Sequence, residues 1–163
     1  MSARLPLSTF GVMSTASYEA LKKFFETSSV ARKATRPLHD AAEVALQLDG
    51  GPANFKVQGG QARVQEGPAV NPDFTLHLPD AAVQRITSLR SEDVGEFGVE
   101  FFKLVLEKDP ALKAKVKIDA PTGQLLSHGY LGVLAQGGLK VTWWLLKNGV
   151  KNPKAAIDRL RKG

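Results

Sequence analysis

The residues able to do chemistry are few in this chain, and they do not converge. There is no cysteine among the 163 residues, which excludes disulfides, thiolate metal sites and thiol nucleophiles. Gly-x-Ser-x-Gly, the P-loop and the dinucleotide glycine fingerprint are absent. The histidines are scattered. His39 and Glu43 have the i, i+4 spacing that a helical metal site uses, with Asp40 between them. Such a pair beside a loop is also what an ordinary polar surface supplies, and no metal is expected. His77 falls on the polar side of an alternating segment, where a solvated or hydrogen-bonded imidazole is expected. His128 lies in an apolar segment and must find a partner, either a protein group or the head group of a ligand. No acid–base pair emerges, so neither enzymatic activity nor a cofactor is expected.

The apolar residues carry a clearer pattern, most of all from Asn71 to Ile86. Asn71-Pro72-Asp73 is a turn, and Phe74, Leu76 and Leu78 then alternate with Thr75 and His77, the period of a strand with one face buried. Pro79-Asp80 stops the strand, and Val83, Ile86 and Leu89 take up helical spacing. Upstream, Val44, Leu46 and Leu48, then Phe55 and Val57, then Ala62 and Val64 are separated by Asp49-Gly50-Gly51-Pro52 and Gly59-Gly60. This predicts an antiparallel meander, to which Phe74–Leu78 adds a fourth strand. Leu112, Ala114, Val116 and Ile118 alternate with Lys113, Lys115, Lys117 and Asp119, a fifth strand whose wet-face lysines suit a sheet edge.

Helices must cover the buried face. Tyr18, Leu21, Phe24, Phe25 and Val30 predict an amphipathic helix with Ser17 as its N-cap, ended by Pro37, after an irregular segment over residues 1–16. Two further helices are predicted over about Asp80 to Leu89 and Asp93 to Lys108, the second with Phe97, Phe101, Leu104 and Val105 on its apolar face. From Leu125 to Leu146 the only charged residue is Lys140. Its glycines and polar residues argue for a long covering helix, broken at Gly137-Gly138, rather than a membrane span. Asn152-Pro153 starts a short basic helix.

Phe74, Phe97, Phe101, Phe102, Tyr130, Trp143 and Trp144 fall on elements that should all face one side of the sheet. Adjacent Trp143 and Trp144 cannot both point inward, since helical neighbours are about 100° apart. One is therefore exposed or covered by something else. With Lys140, Lys147 and Lys151 nearby, the pair suits either a membrane-interface anchor or a homodimer contact.

The order helix, three strands, strand, two helices, strand, long helix resembles the sterol carrier protein 2 (SCP2) family over about Ser17 to Leu146. The glycine-rich meander, Pro-Asp-Phe-Thr-Leu-His-Leu and the strand Ala114–Ile118 carry the likeness. It implies an α+β fold, a five-stranded antiparallel-rich sheet covered on one face by helices, here with an extended C-terminal helix. The organisation is then an N-terminal segment over 1–16, a lipid-binding domain over 17–149 and a basic tail over 150–163. The chain departs from the family in Asp119-Ala120-Pro121 after the last strand and in a Phe-rich helix before it. It ends Arg161-Lys162-Gly163 in place of a peroxisomal tail. A bacterial stand-alone member is implied.

The resemblance also implies a function, the non-catalytic binding and transfer of a fatty acyl, sterol-like or quinone-like lipid. Its tunnel would be lined by Phe74, Leu76, Phe97, Phe101, Val116, Ile118, Leu126, Tyr130 and Leu134. A scaffold that presents a hydrophobic intermediate to partner enzymes is the alternative. The charge distribution fits work at a membrane. Residues 41–110 carry six basic and eleven acidic side chains, and residues 111–163 carry ten and two. A basic third of this kind suits an anionic surface, and specific nucleic-acid binding is not expected because no motif accompanies the lysines. Residues 1–17 hold no continuous apolar run of the secretory kind, so a cytoplasmic protein, peripheral at the membrane, is expected.

Overall fold

The computed structural model describes residues 4–149, and their side chains except those of residues 4–15, 131, 134 and 137–139. The basic tail, including Lys151, and the side chain of Leu134 lie outside the described residues. Six helices and five strands form an α+β fold: α1 (Arg4–Thr27), α2 (Ser29–Thr35), β1 (Glu43–Leu48), β2 (Gly51–Gln58), β3 (Gln61–Glu66), β4 (Phe74–Leu78), α3 (Asp80–Thr87), α4 (Val94–Val105), β5 (Lys115–Ile118), α5 (Thr122–Ser127) and α6 (Tyr130–Lys147).

The five strands form one mixed sheet in the order β3-β2-β1-β4-β5. The β1–β2, β2–β3 and β4–β5 pairs are antiparallel, and β1 runs parallel to β4. The fourth strand therefore does not extend the meander past β3. It returns to the free edge of β1, where Val44, Leu46 and Leu48 meet Phe74, Leu76 and Leu78. This register follows from burial: a slip by one residue would turn every one of these side chains to the other face. The opposite face carries Gln47, Lys56, Arg63, Thr75, Lys115 and Lys117.

The helices depart from expectation in three places, each with a local cause. Helix α1 starts at Arg4, inside the segment expected to be irregular. Pro6 falls in its first turn, where backbone N–H groups have no intrahelical acceptor to lose. Ser17 is thus inside a helix and caps nothing; its buried hydroxyl donates to Asp80 Oδ1 at 2.5 Å, joining α1 to α3. The chain breaks instead at Ser28, whose side chain accepts from Ala31 N and starts α2. In the C-terminal segment α6 runs through Gly137-Gly138, and the break lies at Gly129, with φ +92°. A Cβ there would sit 2.1 Å from the Pro37 carbonyl oxygen, and one on Gly132 would sit 2.6 Å from Pro37 Cβ. Both glycines let the start of α6 lie directly on the α2–β1 connection. Gly98 does the same farther along, where a Cβ would be 2.7 Å from Val141 Cγ2, so α4 and α6 pack closely.

Candidate functional site

The inward positions of the sheet form two rows across the strands. Phe55, Val44, Phe74 and Ile118 are successive partners in one row, and Leu46, Leu76 and Val116 in the next. Period-2 alternation puts all seven on one face, and they form the floor of a cavity of about 320 Å³. The roof comes from the helices: Leu21 and Phe25 of α1, Ile86 of α3, Phe97, Phe101, Phe102 and Val105 of α4, Leu125 and Leu126 of α5, and Tyr130 and Val133 of α6. No charged side chain lines this space among the described residues.

Aromatic rings fix its walls. Phe25 meets Phe55 edge-on at 5.1 Å, Phe24 stacks on Phe97 at 5.8 Å, and Phe74 meets Tyr130 edge-on at 4.7 Å. Each pairing joins a different pair of elements and contributes about 0.5–1.5 kcal/mol beyond area burial. The mouth is marked by residues that both line the cavity and meet solvent: Leu126, 49% exposed, and Thr122.

Eight positions expected from the sequence meet on this cavity. Phe74, Leu76, Val116 and Ile118 lie in the floor, and Phe97, Phe101, Leu126 and Tyr130 in the roof. Sequence reasoning passed over Phe25, Phe55 and Phe102 as lining residues. The alternation around Phe55 carried the signal, since it shares the inward face with Val57.

A polar cluster holds the roof to the floor. Asp73, fully buried, accepts from Gln124 Nε2 at 2.7 Å through Oδ1, and from Tyr130 Oη at 2.9 Å and Glu43 N at 3.2 Å through Oδ2. His128 Nδ1 lies 2.8 Å from the same Oδ2, and this pairing assigns the proton to Nδ1. The partner that His128 requires is therefore a protein carboxylate. The backbone of Asp73 joins in as well, donating to Glu43 O and accepting from Asp119 N and Ala120 N. One turn residue thus ties β1, β4, the end of β5, α5 and α6 together. Burial, reinforced by the charge of Asp73, pushes the Tyr130 phenol well above its usual range, so it stays a donor. Beside the cluster, the Glu43 carboxylate accepts from Val70 N and Asn71 N and pairs with Lys56 at 3.4 Å.

The side chains of the remaining histidines take no part, although the His39 N–H donates to the His128 carbonyl at 2.9 Å. Glu43 is on a strand and His39 is in the loop before it, so they share no helical face, and the described residues contain no group of potential metal ligands. His77 lies on the outer face of the sheet, and its Nδ1 is buried without a hydrogen-bond partner.

The expected surface patch divides. Lys140 hydrogen-bonds Asp93 and lies 3.8 Å from Glu96, pinning α6 to the start of α4 rather than facing outward alone. The Lys140 ammonium draws the Asp93 carboxyl below its usual range. Trp144 is half-buried in a groove with Arg85, Lys103 and Leu106. Trp143 is the exposed member of the pair, at 62%, and Lys147 Nζ lies 5.1 Å from its ring centroid. Leu146 is exposed nearby.

No helix among the described residues is long and apolar enough to cross a membrane. The chain matches no protein-family model, no curated protein and no solved structure.

Proposed function

We propose that this protein holds a hydrophobic lipid in the cavity between its sheet and helices, as a carrier that does no covalent chemistry. The observation that carries the reading is the cavity itself, almost wholly apolar and floored by two cross-strand rows. Transferring hydrocarbon into such a space gains about 0.8 kcal/mol per methylene. The five-stranded sheet with helices on one face agrees with the fold that the likeness to SCP2-like carriers implies. Native mass spectrometry of the protein purified from its source cells, followed by solvent extraction, tests the reading. A defined extra mass that extracts as a lipid is the expected result. Protein that is free of lipid and also rejects a fluorescent fatty acid would move the assignment to a scaffold.

The edge of α6 bearing Trp143, Leu146 and Lys147 is the surface by which the carrier would meet a bilayer. Tryptophan is at home at head-group depth, and each lysine near an anionic leaflet contributes about 1 kcal/mol. Vesicles containing phosphatidylserine are expected to co-sediment the protein, and vesicles of phosphatidylcholine alone are not. Lys147→Glu is expected to weaken the anionic binding by about thirtyfold, since it replaces an attraction with a repulsion of similar size. An unchanged affinity would assign the patch to a protein contact.

A further inference from the structure

The cavity that the carrier reading relies on has a definite capacity, and we infer from it that the cargo is a single alkyl chain of about ten carbons whose head group stays outside. This rests on the carrier reading and narrows it. A volume of about 320 Å³ holds roughly ten methylenes, if each fills about the 30 Å³ share of one water molecule. A fused four-ring alcohol would need roughly twice that space, and a two-chain lipid more, at the packing density of protein interiors.

The walls leave little room to expand. The floor is a hydrogen-bonded sheet, and the roof is fixed at Asp73 and by the close approach of Gly98 to Val141. Within the lining, Phe25 of α1 meets Phe55 of β2 edge-on at 5.1 Å, which ties helix and sheet together there.

The position of the head group follows from the polar atoms present. The lining includes no lysine, arginine or histidine among the described residues. The Tyr130 hydroxyl donates to Asp73, and that of Thr35 donates to Ala31 O at 2.9 Å. Both protons are committed to protein acceptors, so neither hydroxyl has a proton to give an anionic head. Drawing a carboxylate or phosphate inside would strip its water without replacement. The head group therefore rests at the mouth beside Thr122 and Leu126, and the site selects for tail length over head chemistry.

Isothermal titration calorimetry with straight-chain alcohols and the matching carboxylates, from about six to about sixteen carbons, tests this. Affinity is expected to rise about fourfold per methylene and then level off near ten carbons. At equal length, alcohol and carboxylate should agree within about fivefold, the usual reach of an exposed charge. A sterol and a two-chain phosphatidylcholine, run alongside, should bind at least about a hundredfold more weakly than the ten-carbon ligands. Affinity that climbs without a break to sixteen carbons, or a sterol that binds as tightly, would overturn the inference and leave the carrier reading standing. Failure of every chain to bind would overturn both.

Discussion

Asp73→Ala is expected to cost about 3–5 kcal/mol of folding stability, the usual result of removing one partner from a buried, charged hydrogen-bond network. The carboxylate is fully buried and serves Gln124, His128, Tyr130 and the Glu43 N–H. Alanine would leave all four donors without their acceptor, and each one that stays buried and unpaired costs about 1–3 kcal/mol before relaxation. In urea the midpoint should fall by about 2 M with little change in slope, taking a slope of about 2 kcal/mol/M. The cause can be separated from simple loss of packing. Because the Tyr130 phenol stays protonated, Tyr130→Phe removes one of the orphaned donors. In the Asp73→Ala background that second change should restore about 1 kcal/mol, whereas in the unaltered protein it should cost a similar amount. A midpoint within a few tenths of a molar of the parent would show that the cluster is not holding the roof.

Gly129→Ala should lower the melting temperature by about 10 °C, against about 3 °C for Gly60→Ala, at about 2–4 °C per kcal/mol for a chain of this size. The two glycines have similar dihedrals, φ +92° and +78°. Both substitutions carry the strain of a left-handed residue, about 1–2 kcal/mol. The surroundings separate them. At Gly60 a Cβ meets nothing within 4 Å, whereas at Gly129 it would lie 2.1 Å from Pro37 O, a backbone atom that cannot swing aside. The additional cost is overpacking, roughly 1–3 kcal/mol, with α6 forced away from the α2–β1 connection. Tyr130 and Val133 would move with it, so any ligand affinity should fall in parallel. Equal losses in the two variants would mean that α6 does not rest on Pro37 in solution.

The inward faces of the strands were legible because a period of two is decided locally. Phe74, Leu76, Val116 and Ile118 needed no knowledge of their neighbours to be placed on one side. Partner choice was not local. The parallel match of β1 with β4 depends on a chain reversal through β2 and β3, and tight glycine turns favour reading the next strand as the next neighbour. Glycine also misled within α6. Gly137-Gly138 reads as a break but tolerates the helix, while Gly129 breaks it through a contact with Pro37 that lies 92 residues earlier. Asp73 was visible only as a turn residue. Its side-chain partners stand 30, 51, 55 and 57 positions away, too far for any spacing rule to reveal them.

Those separations also govern the order of assembly during synthesis. The β1–β2–β3 ribbon is built from near neighbours and can form as soon as it leaves the ribosome, but β4, β5 and the covering helices α5 and α6 come later along the chain. Closing the long loops between them is the slow, entropically opposed step. Until it happens only α1 and α2 are present to cover the inward face, and Val44 and Leu46 lack the strand and helices that later close over them. At that point of synthesis the inward face is only partly covered, and a chaperone that shields extended apolar segments would find its substrate there. Refolding yield should accordingly depend on protein concentration far more than the stability of the finished fold would suggest.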